Sequence, residues 1–182
     1  MSGKVNEKVN KEEKGFTSAV ITLSDKGFAG EREDKSGPLI SQMLSEAGYQ
    51  VKEQLLLPDE QEQLEGCLCR LADEESVDVI FTTGGTGFSE RDRTPEATLA
   101  VCDRMAPGIA EAMRWYSLSI TNRAMLSRGV SGIRKKTLII NLPGSPKAVR
   151  ESLEYILPAL GHGLGILCGT AGECGNENQD GH

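Results

Sequence analysis

The sequence predicts an α/β fold: a three-layer, doubly wound architecture with a mostly parallel sheet and helices on both faces. Short apolar runs rich in β-branched residues alternate along the chain with segments whose apolar residues recur at helical spacing. Alternating strands and helices form βαβ units, in which the strands lie parallel and the helices cover the sheet. The length of 182 residues suits one domain with its own core.

The first part of the chain is predicted to form two strand–helix pairs. Residues 16–23, FTSAVITL, and residues 49–57, YQVKEQLLL, are rich in apolar types and are interpreted as strands. Gly48 is suited to end the first helix. The apolar face of that helix is made by Leu39, Ile40, Met43, Leu44 and Ala47. The apolar face of the second helix is made by Leu64, Cys67, Leu68 and Leu71.

A third pair begins with the short buried strand VDVIFTT at 77–83. Thr94 and Pro95 then predict the start of a helix, with Thr94 as its N-cap and Pro95 at the first helical position. Residues 108–128 are predicted to be helix followed by an irregular piece.

The last pair consists of the strand KTLIINL at 136–142 and a helix that opens at Ser145 and Pro146. Pro158 should kink or end that helix, because proline lacks the N–H of the helical hydrogen bond. The apolar face is made by Val149, Leu153, Ile156 and Leu157.

Composition and charge exclude several classes of protein. A formal net charge of −7 argues against non-specific nucleic-acid binding, which depends on many Lys and Arg side chains. No apolar run approaches the roughly 18 residues of a membrane span. Five cysteines without disulfide-like density fit a reducing compartment, and the spacing of His162, Cys168 and Cys174 matches no zinc pattern. We therefore expect a soluble, cytoplasmic protein.

The two ends of the chain differ in composition from the part between them. Residues 1–14 are polar and charged and resemble neither a secretory signal nor a transit peptide. Residues 169–182 are rich in glycine and polar types, with nothing to bury. The sequence predicts a disordered leader over 1–14, a single domain over 15–168 and a flexible tail over 169–182.

The candidate site follows from the predicted sheet. Ligands of open parallel sheets bind outside the carboxyl ends of the strands, where loops meet helix N-termini. Polar or glycine-rich residues follow each of the long strands, namely Ser24, Asp25 and residues 34–37 after the first, Asp59 after the second, residues 84–92 after the third, and residues 141–145 after the last.

The most unusual of these stretches is TTGGTGFSERDRTPEA at 82–97. Glycines at 84, 85 and 87 let backbone amides approach an anion without a Cβ in the way, although a tight turn alone would also use them. The stretch is not a Walker loop, because no Gly-Lys-Ser/Thr follows, and Glu90 occupies the third glycine position of the dinucleotide fingerprint.

Two aspartates, Asp59 and Asp92, are candidates for metal binding. Asp59 begins an Asp-x-x-Glu sequence and could merely cap the second helix, and Asp92 could be a solvated loop charge. If both face the crevice, they offer hard oxygen ligands to Mg²⁺, which takes one or two carboxylates together with substrate phosphates and water.

Cations and a helix N-terminus are the candidates for phosphate binding. Arg91, Arg93 and Lys147 could pair with phosphate oxygens, and exposed charge pairing is the alternative. Residues 141–145, Asn-Leu-Pro-Gly-Ser, read as a strand end, a tight turn and a helix N-terminus. This stretch fits both a plain helix entry and a ligand contact.

These residues resemble the molybdopterin-binding domains of molybdenum cofactor biosynthesis, a family that includes the molybdopterin adenylyltransferases and the G domain of gephyrin. The signature runs through residues 83–87, Arg91 and Asp92, and residues 94–97, and the resemblance extends from residue 16 to residue 167. Arg91, Asp92, Thr94 and Pro95, together with residues 141–144, favour the adenylyltransferase branch over a closely related paralogous branch.

The resemblance implies Mg-dependent transfer of an adenylyl group from ATP to the terminal phosphate of molybdopterin, with release of pyrophosphate. It implies that Asp59 and Asp92 are the catalytic aspartates and hold Mg²⁺, that residues 84–87 lie on the nucleotide side, and that Ser145 lies on the pterin side. The predicted substrate and nucleotide contacts are Ser24, Asp25, Thr83, Gly84, Gly85, Thr86, Gly87, Arg91, Thr94, Pro95, Asn141, Pro143, Gly144, Ser145 and Lys147.

The resemblance also implies a homotrimer that hands its product to a molybdenum insertase. From the charge and the apolar runs we expect no nucleic-acid or membrane partner. Two other functions remain open at this stage. One is a non-catalytic molybdopterin-binding or carrier module, which would bind the pterin without turnover. The other is an unrelated Mg-dependent nucleotide enzyme of doubly wound fold, which would bind ATP and not molybdopterin.

Overall fold

The computed structural model describes residues 15–170, so residues 1–14 and 171–182 of the predicted leader and tail lie outside the described part. The strands are β1 Thr17–Leu23, β2 Gln50–Leu57, β3 Val79–Thr83, β4 Arg104–Met105, β5 Ser131–Arg134 and β6 Thr137–Leu142. The helices are α1 Asp25–Phe28, α2 Ser36–Glu46, α3 Gln61–Asp73, α4 Thr94–Val101, α5 Pro107–Leu118 and α6 Pro146–Cys168, with a 3₁₀ helix at Asn122–Leu126.

The strands form one six-stranded sheet in the order β2-β1-β3-β6-β5-β4. β2, β1, β3 and β6 are parallel, whereas β5 and β4 continue the sheet in antiparallel fashion. In the register of the central strands, Thr22 pairs with Thr83, and Thr83 pairs with Leu142. The parallel strands therefore end at the same level, and the loops that follow them meet at one edge.

Two apolar layers separate the sheet from its helices, as the predicted three-layer fold requires. On one face, Val20 and Phe81 of the sheet pack in a core with Ile40 of α2, Met113 of α5 and Leu153 of α6. On the other face, the sheet residues Ala19, Ile21, Ile80 and Ile139 pack with α3 and α4 through Leu64, Leu68, Leu71, Ala97 and Val101. The predicted doubly wound α/β fold is thus confirmed.

The sequence did not predict the antiparallel strands β4 and β5. β4 is two residues long, and β5 consists of four residues, SGIR, with no continuous apolar run. The hairpin between β5 and β6 turns at Lys135, whose φ of 51° lies in the left-handed region that usually calls for glycine or asparagine. With lysine at this position, the sequence has no hairpin signal.

The helix α6 does not end at Pro158, as one alternative had it, but continues to Cys168. Pro158 deprives the carbonyl of Glu154 of its helical hydrogen bond, and both residues are exposed, so water can satisfy that carbonyl. Leu153 and Leu160 on the opposite side are buried in the core and hold the helix across the proline. Within residues 15–170, no helix is both long enough and apolar enough to cross a bilayer.

Two smaller predictions about helix ends are also corrected. Ala47, predicted on the buried face of α2, is the exposed residue that follows the helix. Thr94 is the first residue of α4 and not its N-cap, which is Arg93. The hydroxyl of Thr94 is used elsewhere, in the loop described next.

Candidate active site at the carboxyl edge of the sheet

The loops after β1, β2, β3 and β6 surround a cavity of about 680 Å³, the first cavity. The predicted residues that line it are Ser24, Asp59, Thr83, Gly84, Gly85, Asp92, Gly144 and Ser145. Other residues that line it include Thr22, Arg32, Glu33, Asp34, Lys35 and Ser36. One cavity therefore brings together residues that follow all four parallel strands.

Asp59 is fixed by a reciprocal pair of hydrogen bonds with Asp25. The backbone N–H of Asp25 donates to Asp59 Oδ2 at 2.9 Å, and the backbone N–H of Asp59 donates to Asp25 Oδ1 at 3.0 Å. Asp59 does not cap the helix that follows it, because the N-cap of α3 is Glu60 and makes no side-chain capping bond. Its carboxylate instead binds the first N–H of α1, across the neighbouring strand.

Asp92 is fixed within its own loop. The backbone N–H of Ser89 donates to Asp92 Oδ2 at 2.9 Å, and the backbone N–H of Asp92 donates to the carbonyl of Ser89 at 3.0 Å. The same Oδ2 lies against the glycine loop, since a Cβ added to Gly87 would be 2.9 Å from it. Asp92 is therefore a positioned carboxylate on the cavity wall and not a freely solvated charge.

The glycine loop depends on backbone conformations that other residues rarely adopt. Gly84 and Gly85 have φ values of 94° and 64°. A Cβ on Gly84 would lie 2.3 Å from the carbonyl oxygen of Leu23, and a Cβ on Gly85 would lie 2.3 Å from Thr94 Oγ1 and 3.5 Å from Asp59 Oδ1. The hydroxyl of Thr94 donates to the carbonyl of Gly84 at 2.9 Å. The glycines thus allow the loop to lie against both β1 and Asp59.

Arg128 holds the far side of the glycine loop, a role that the sequence did not reveal. Its backbone N–H donates to the carbonyl of Thr86 at 2.9 Å, and its Nε donates to the carbonyl of Gly87 at 2.7 Å. Its guanidinium also contacts the carbonyl of Asp92 and the carboxylate of Glu96. The residues that Arg128 contacts lie more than thirty positions before it in the sequence, so no local pattern predicts these contacts.

The cations near the first cavity differ from those that the sequence singled out. Arg91 is held by carboxylates, with Nε donating to Asp25 at 2.7 Å and Nη2 donating to Glu60 at 2.8 Å. Arg93 and Lys147 do not line the cavity, whereas Arg32 and Lys35 do. Arg91 therefore fixes the position of Asp25, and through it Asp59.

A second cavity of about 250 Å³ lies on the other side of the turn at residues 143–145. It is bordered by α5, the 3₁₀ helix and the start of α6, and its residues include Ala110, Met113, Arg114, Ser117, Arg123, Ala124 and Ser127. Asn141 and Pro143 line this cavity and not the first, and Ser145 borders both. The two cavities are therefore neighbours that share one turn.

Asn141 supports this turn through its buried side chain. Its Nδ2 donates to the hydroxyls of Thr82 and Thr98, each at 2.9 Å, and its Oδ1 accepts from the backbone N–H of Val130 at 3.1 Å. The hydroxyl of Thr83 donates to the carbonyl of Pro143 at 2.7 Å. Ser145 caps α6 by accepting from the N–H of Ala148 at 3.2 Å, as its sequence position predicted.

Several predicted contact residues line neither the first nor the second cavity. Some of them are buried or half-buried, and others are exposed on the surface. They are Asp25, Thr86, Gly87, Arg91, Thr94, Pro95 and Lys147. Most of them hold loops in place, as the contacts of Asp25, Arg91 and Thr94 show. Lys147 is 80% exposed and lies 3.8 Å from Glu151 on the next turn of α6.

The electrostatics of the two aspartates suit a bound cation. Burial raises the pKa of the Asp59 carboxyl; the hydrogen bond from Asp25 N–H opposes this effect, and the negative charges of Asp25 and Asp92 add to it. Neither Asp59 nor Asp92 forms an ion pair with a Lys or Arg of the described chain. No cluster of three or more His, Cys, Asp or Glu that could enclose a metal occurs in residues 15–170. Two carboxylates in one cavity match the donor set of Mg²⁺, which takes its other ligands from phosphates and water.

Comparisons with known proteins identify relatives over most of the chain. A family profile described as "Probable molybdopterin binding domain" matches residues 19–162. The molybdopterin adenylyltransferase of Helicobacter pylori strain J99 is 42% identical over 161 residues, which are 87% of this chain and 92% of that protein. The molybdopterin adenylyltransferase of Escherichia coli K12 is 45% identical over 146 residues, covering 79% of this chain and 74% of that one.

The fold also has close counterparts among solved structures. The crystal structure of the molybdopterin biosynthesis enzyme MoaB from Thermus thermophilus aligns with a TM-score of 0.81 at 49% sequence identity. The alignment covers 85% of this chain and 98% of that chain.

Proposed function

The chain belongs to the molybdopterin-binding domain family, and from this premise we propose that it catalyses adenylyl transfer from ATP to molybdopterin. The products are adenylylated molybdopterin and pyrophosphate. The observation that carries the proposal is the pair of adjoining cavities, one with two positioned carboxylates beside a glycine loop and one between helices. Such a pair gives each of two substrates its own place and lets their reactive ends meet at the shared turn.

The first cavity suits the nucleotide. Its volume of about 680 Å³ lies in the range of small-molecule sites, and Gly84 and Gly85 let backbone amides approach phosphate oxygens. Asp59 and Asp92 would hold Mg²⁺, which when bound neutralises phosphate charge during the transfer. The remaining task of the residues that line the first cavity is to orient ATP and to hold its α-phosphate in one position.

The second cavity suits the pterin. Met113 and Ala110 contribute apolar surface to its lining, and Arg114 and Arg123 also line it. Arg114 is fixed because its Nη1 donates to the carbonyl of Gly129 at 2.6 Å. Flat heterocycles are commonly bound by such sites, with apolar walls and a small number of placed polar groups.

The chemistry is an in-line displacement at phosphorus. An oxygen of the terminal phosphate of molybdopterin attacks the α-phosphorus of ATP, the bond from that phosphorus to the bridging oxygen breaks, and pyrophosphate leaves with the electron pair. A phosphomonoester has its second pKa near 6, so the attacking group is already largely ionised at neutral pH and needs no general base. Asp59 and Asp92 therefore act by charge and position.

We extend the proposal to a homotrimer located in the cytoplasm, which hands its product to a molybdenum insertase. Exposed apolar side chains on α5, on the 3₁₀ helix and in the connection between them support self-association, because large apolar groups clustered on a surface mark interaction sites. They are Trp115, Leu118, Ile120, Met125 and Leu126, with Trp115 exposed to 70%. Light scattering coupled to size exclusion tests the trimer, and a monomeric mass would contradict it.

The function is tested with the purified full-length chain, molybdopterin, ATP and Mg²⁺. We expect adenylylated molybdopterin and pyrophosphate to appear in equal amounts, and we expect chelation of Mg²⁺ to stop both. Tight binding of molybdopterin without any product would identify a carrier module instead. Binding of ATP without binding of molybdopterin would identify a different nucleotide enzyme.

A further inference from the structure

Arg32 lies on the wall of the first cavity and is anchored there by a single polar contact. Its Nη2 donates to Ser24 Oγ at 2.9 Å. Ser24 is buried and its hydroxyl also accepts from the N–H of Gly27 at 3.0 Å, so this anchor is itself fixed. The remaining nitrogens of the guanidinium are left for other partners, and a planar fork of this kind suits phosphate oxygens.

The loop that carries Arg32 is held by its own hydrogen bonds. The backbone N–H groups of Glu31 and Arg32 both donate to the carbonyl of Lys26, at 2.8 and 3.2 Å. Gly30 turns the chain with a φ of 75°. The position of Arg32 is thus set by backbone geometry and not only by its long side chain.

Arg32 differs from Arg91 and Arg128 because it lacks a carboxylate partner. Arg91 pairs with Asp25 and Glu60, and Arg128 pairs with Glu96. No Asp or Glu within residues 15–170 forms an ion pair with Arg32. Its positive charge therefore remains available in a cavity that also contains Asp59 and Asp92 and that is proposed to bind a triphosphate.

The strand order indicates which phosphates Arg32 would meet. The second cavity lies beside the turn after β6, the glycine loop follows β3, and Ser24 with Arg32 follows β1. In the sheet order β1-β3-β6, the strand that precedes Arg32 is two places away from the strand that precedes the second cavity, and β3 with its glycine loop lies between these two strands. In an in-line displacement the leaving group departs on the side opposite to the attacking group.

We propose that Arg32 binds the β- and γ-phosphates of ATP and holds the departing pyrophosphate. This inference rests on the proposed function, which assigns the attacking phosphate to the side of the second cavity. When the bond between the α-phosphorus and the bridging oxygen breaks, negative charge develops on the β-phosphate oxygen. A positioned guanidinium stabilises that charge without any transfer of a proton.

The test is calorimetric titration of the full-length protein with ATP, pyrophosphate or AMP in the presence of Mg²⁺. We expect Arg32→Gln to weaken binding of ATP and pyrophosphate by about tenfold or more, the effect of losing a charge-assisted hydrogen bond. AMP, which lacks the β- and γ-phosphates, should bind within about twofold of its wild-type affinity. Arg32→Lys should recover part of the loss, because lysine keeps the charge without the fork.

The matched control is Arg104→Gln on the edge strand β4, where an exposed arginine lines neither cavity. It should leave all three affinities unchanged. An equal loss for AMP and ATP in Arg32→Gln, or unchanged binding of ATP and pyrophosphate, would overturn the assignment of Arg32. A wild-type protein that binds ATP but forms no product would instead defeat the proposed function, whatever the behaviour of the variants.

Discussion

The two cavities on either side of the turn at residues 143–145 are built in different ways. The first is made of loops that follow parallel strands, and its carboxylates are held by backbone N–H groups, as in the bonds to Asp59 and Asp92. The second is made of side chains from α5, the 3₁₀ helix and α6. The difference indicates a division of labour between the cavities. The first cavity would bind the charged phosphates of ATP, and the second would recognise the shape of the pterin. If so, substitutions can impair one substrate and spare the other.

The largest effect is expected from Asp59→Asn and Asp92→Asn. Each asparagine can still accept the backbone hydrogen bond that positions the aspartate, so the loops should stay in place while the negative charge is lost. We expect kcat to fall by about 10²- to 10³-fold, the usual effect of removing one electrostatic contact to the reacting groups. Affinity for molybdopterin, measured by titration, should remain close to that of the wild type.

The matched control is Asp103→Asn, which lines neither cavity and whose side chain accepts from the N–H of Lys135. It should leave turnover unchanged. A parallel loss of molybdopterin binding in the Asp59 or Asp92 variants would contradict the division of labour, because it would show that the pterin depends on the first cavity.

A backbone change in the glycine loop is the next largest effect. Gly85→Ala places a Cβ 2.3 Å from Thr94 Oγ1 at a residue with a φ of 64°. We expect the free energy of unfolding to fall by about 1–3 kcal/mol, the cost of a strained backbone, together with a loss of ATP binding. Gly66→Ala in α3 is the control, since nothing lies within 4 Å of its Cβ. Alanine there should stabilise the helix by about 0.5–1 kcal/mol in chemical denaturation, and the comparison fails if both variants behave alike.

Sequence patterns predicted the first cavity well because its parts are local. Each parallel strand contains a short apolar run, polar or glycine residues follow it closely, and the topology of such sheets brings those residues together. The same rule predicts Asp59 and Asp92 as site residues, because each follows the end of a parallel strand. Their joint location in one cavity follows from strand order and register, which the alternation of strands and helices strongly constrains.

The second cavity and the charge partners could not be predicted, because they depend on contacts between segments distant in sequence. Residues 108–128 carry no motif that marks a cavity wall, and β5 is too short to be recognised. The sequence predicts Arg91 as a phosphate ligand, whereas in the structure its guanidinium is bound by Asp25 and Glu60. Arg32, by contrast, lies in an ordinary charged loop, and among the arginines of residues 15–170 it is distinguished by lining the first cavity.

A substitution in the second cavity should have a smaller effect than the loss of either aspartate. It should weaken binding of molybdopterin and leave binding of ATP unchanged. Ala124→Phe adds a ring to the 3₁₀ helix at a residue that borders this cavity. We expect molybdopterin to bind about tenfold or more weakly, while the affinity for ATP stays the same, because the first cavity does not include this residue. Ala100→Phe, on the exposed side of α4, is the control. Weaker ATP binding in Ala124→Phe would show that the two cavities are coupled.

Effects on stability alone are expected from two buried threonines: Thr22 lines the first cavity, and Thr98 binds Asn141, which lines the second. Thr98 Oγ1 accepts from Asn141 Nδ2 at 2.9 Å and donates to the carbonyl of Thr94 at 3.0 Å. Thr98→Val removes the hydroxyl and leaves the buried amide with one acceptor fewer, so we expect the free energy of unfolding to fall by about 1–3 kcal/mol.

The hydroxyl of Thr22, unlike that of Thr98, has no hydrogen-bond partner in the described structure. Its Oγ1 is the one buried side-chain oxygen or nitrogen without a hydrogen-bond partner in residues 15–170, and Thr22 lines the first cavity. Thr22→Val replaces an unpaired hydroxyl by a methyl group of similar size. The free energy of unfolding, measured in urea, should therefore fall by less than about 0.5 kcal/mol or rise. A loss as large as that in Thr98→Val would mean that the hydroxyl of Thr22 is paired in solution, by an ordered water in the first cavity. That result would show that an ordered water next to Thr22 contributes to the stability of the protein.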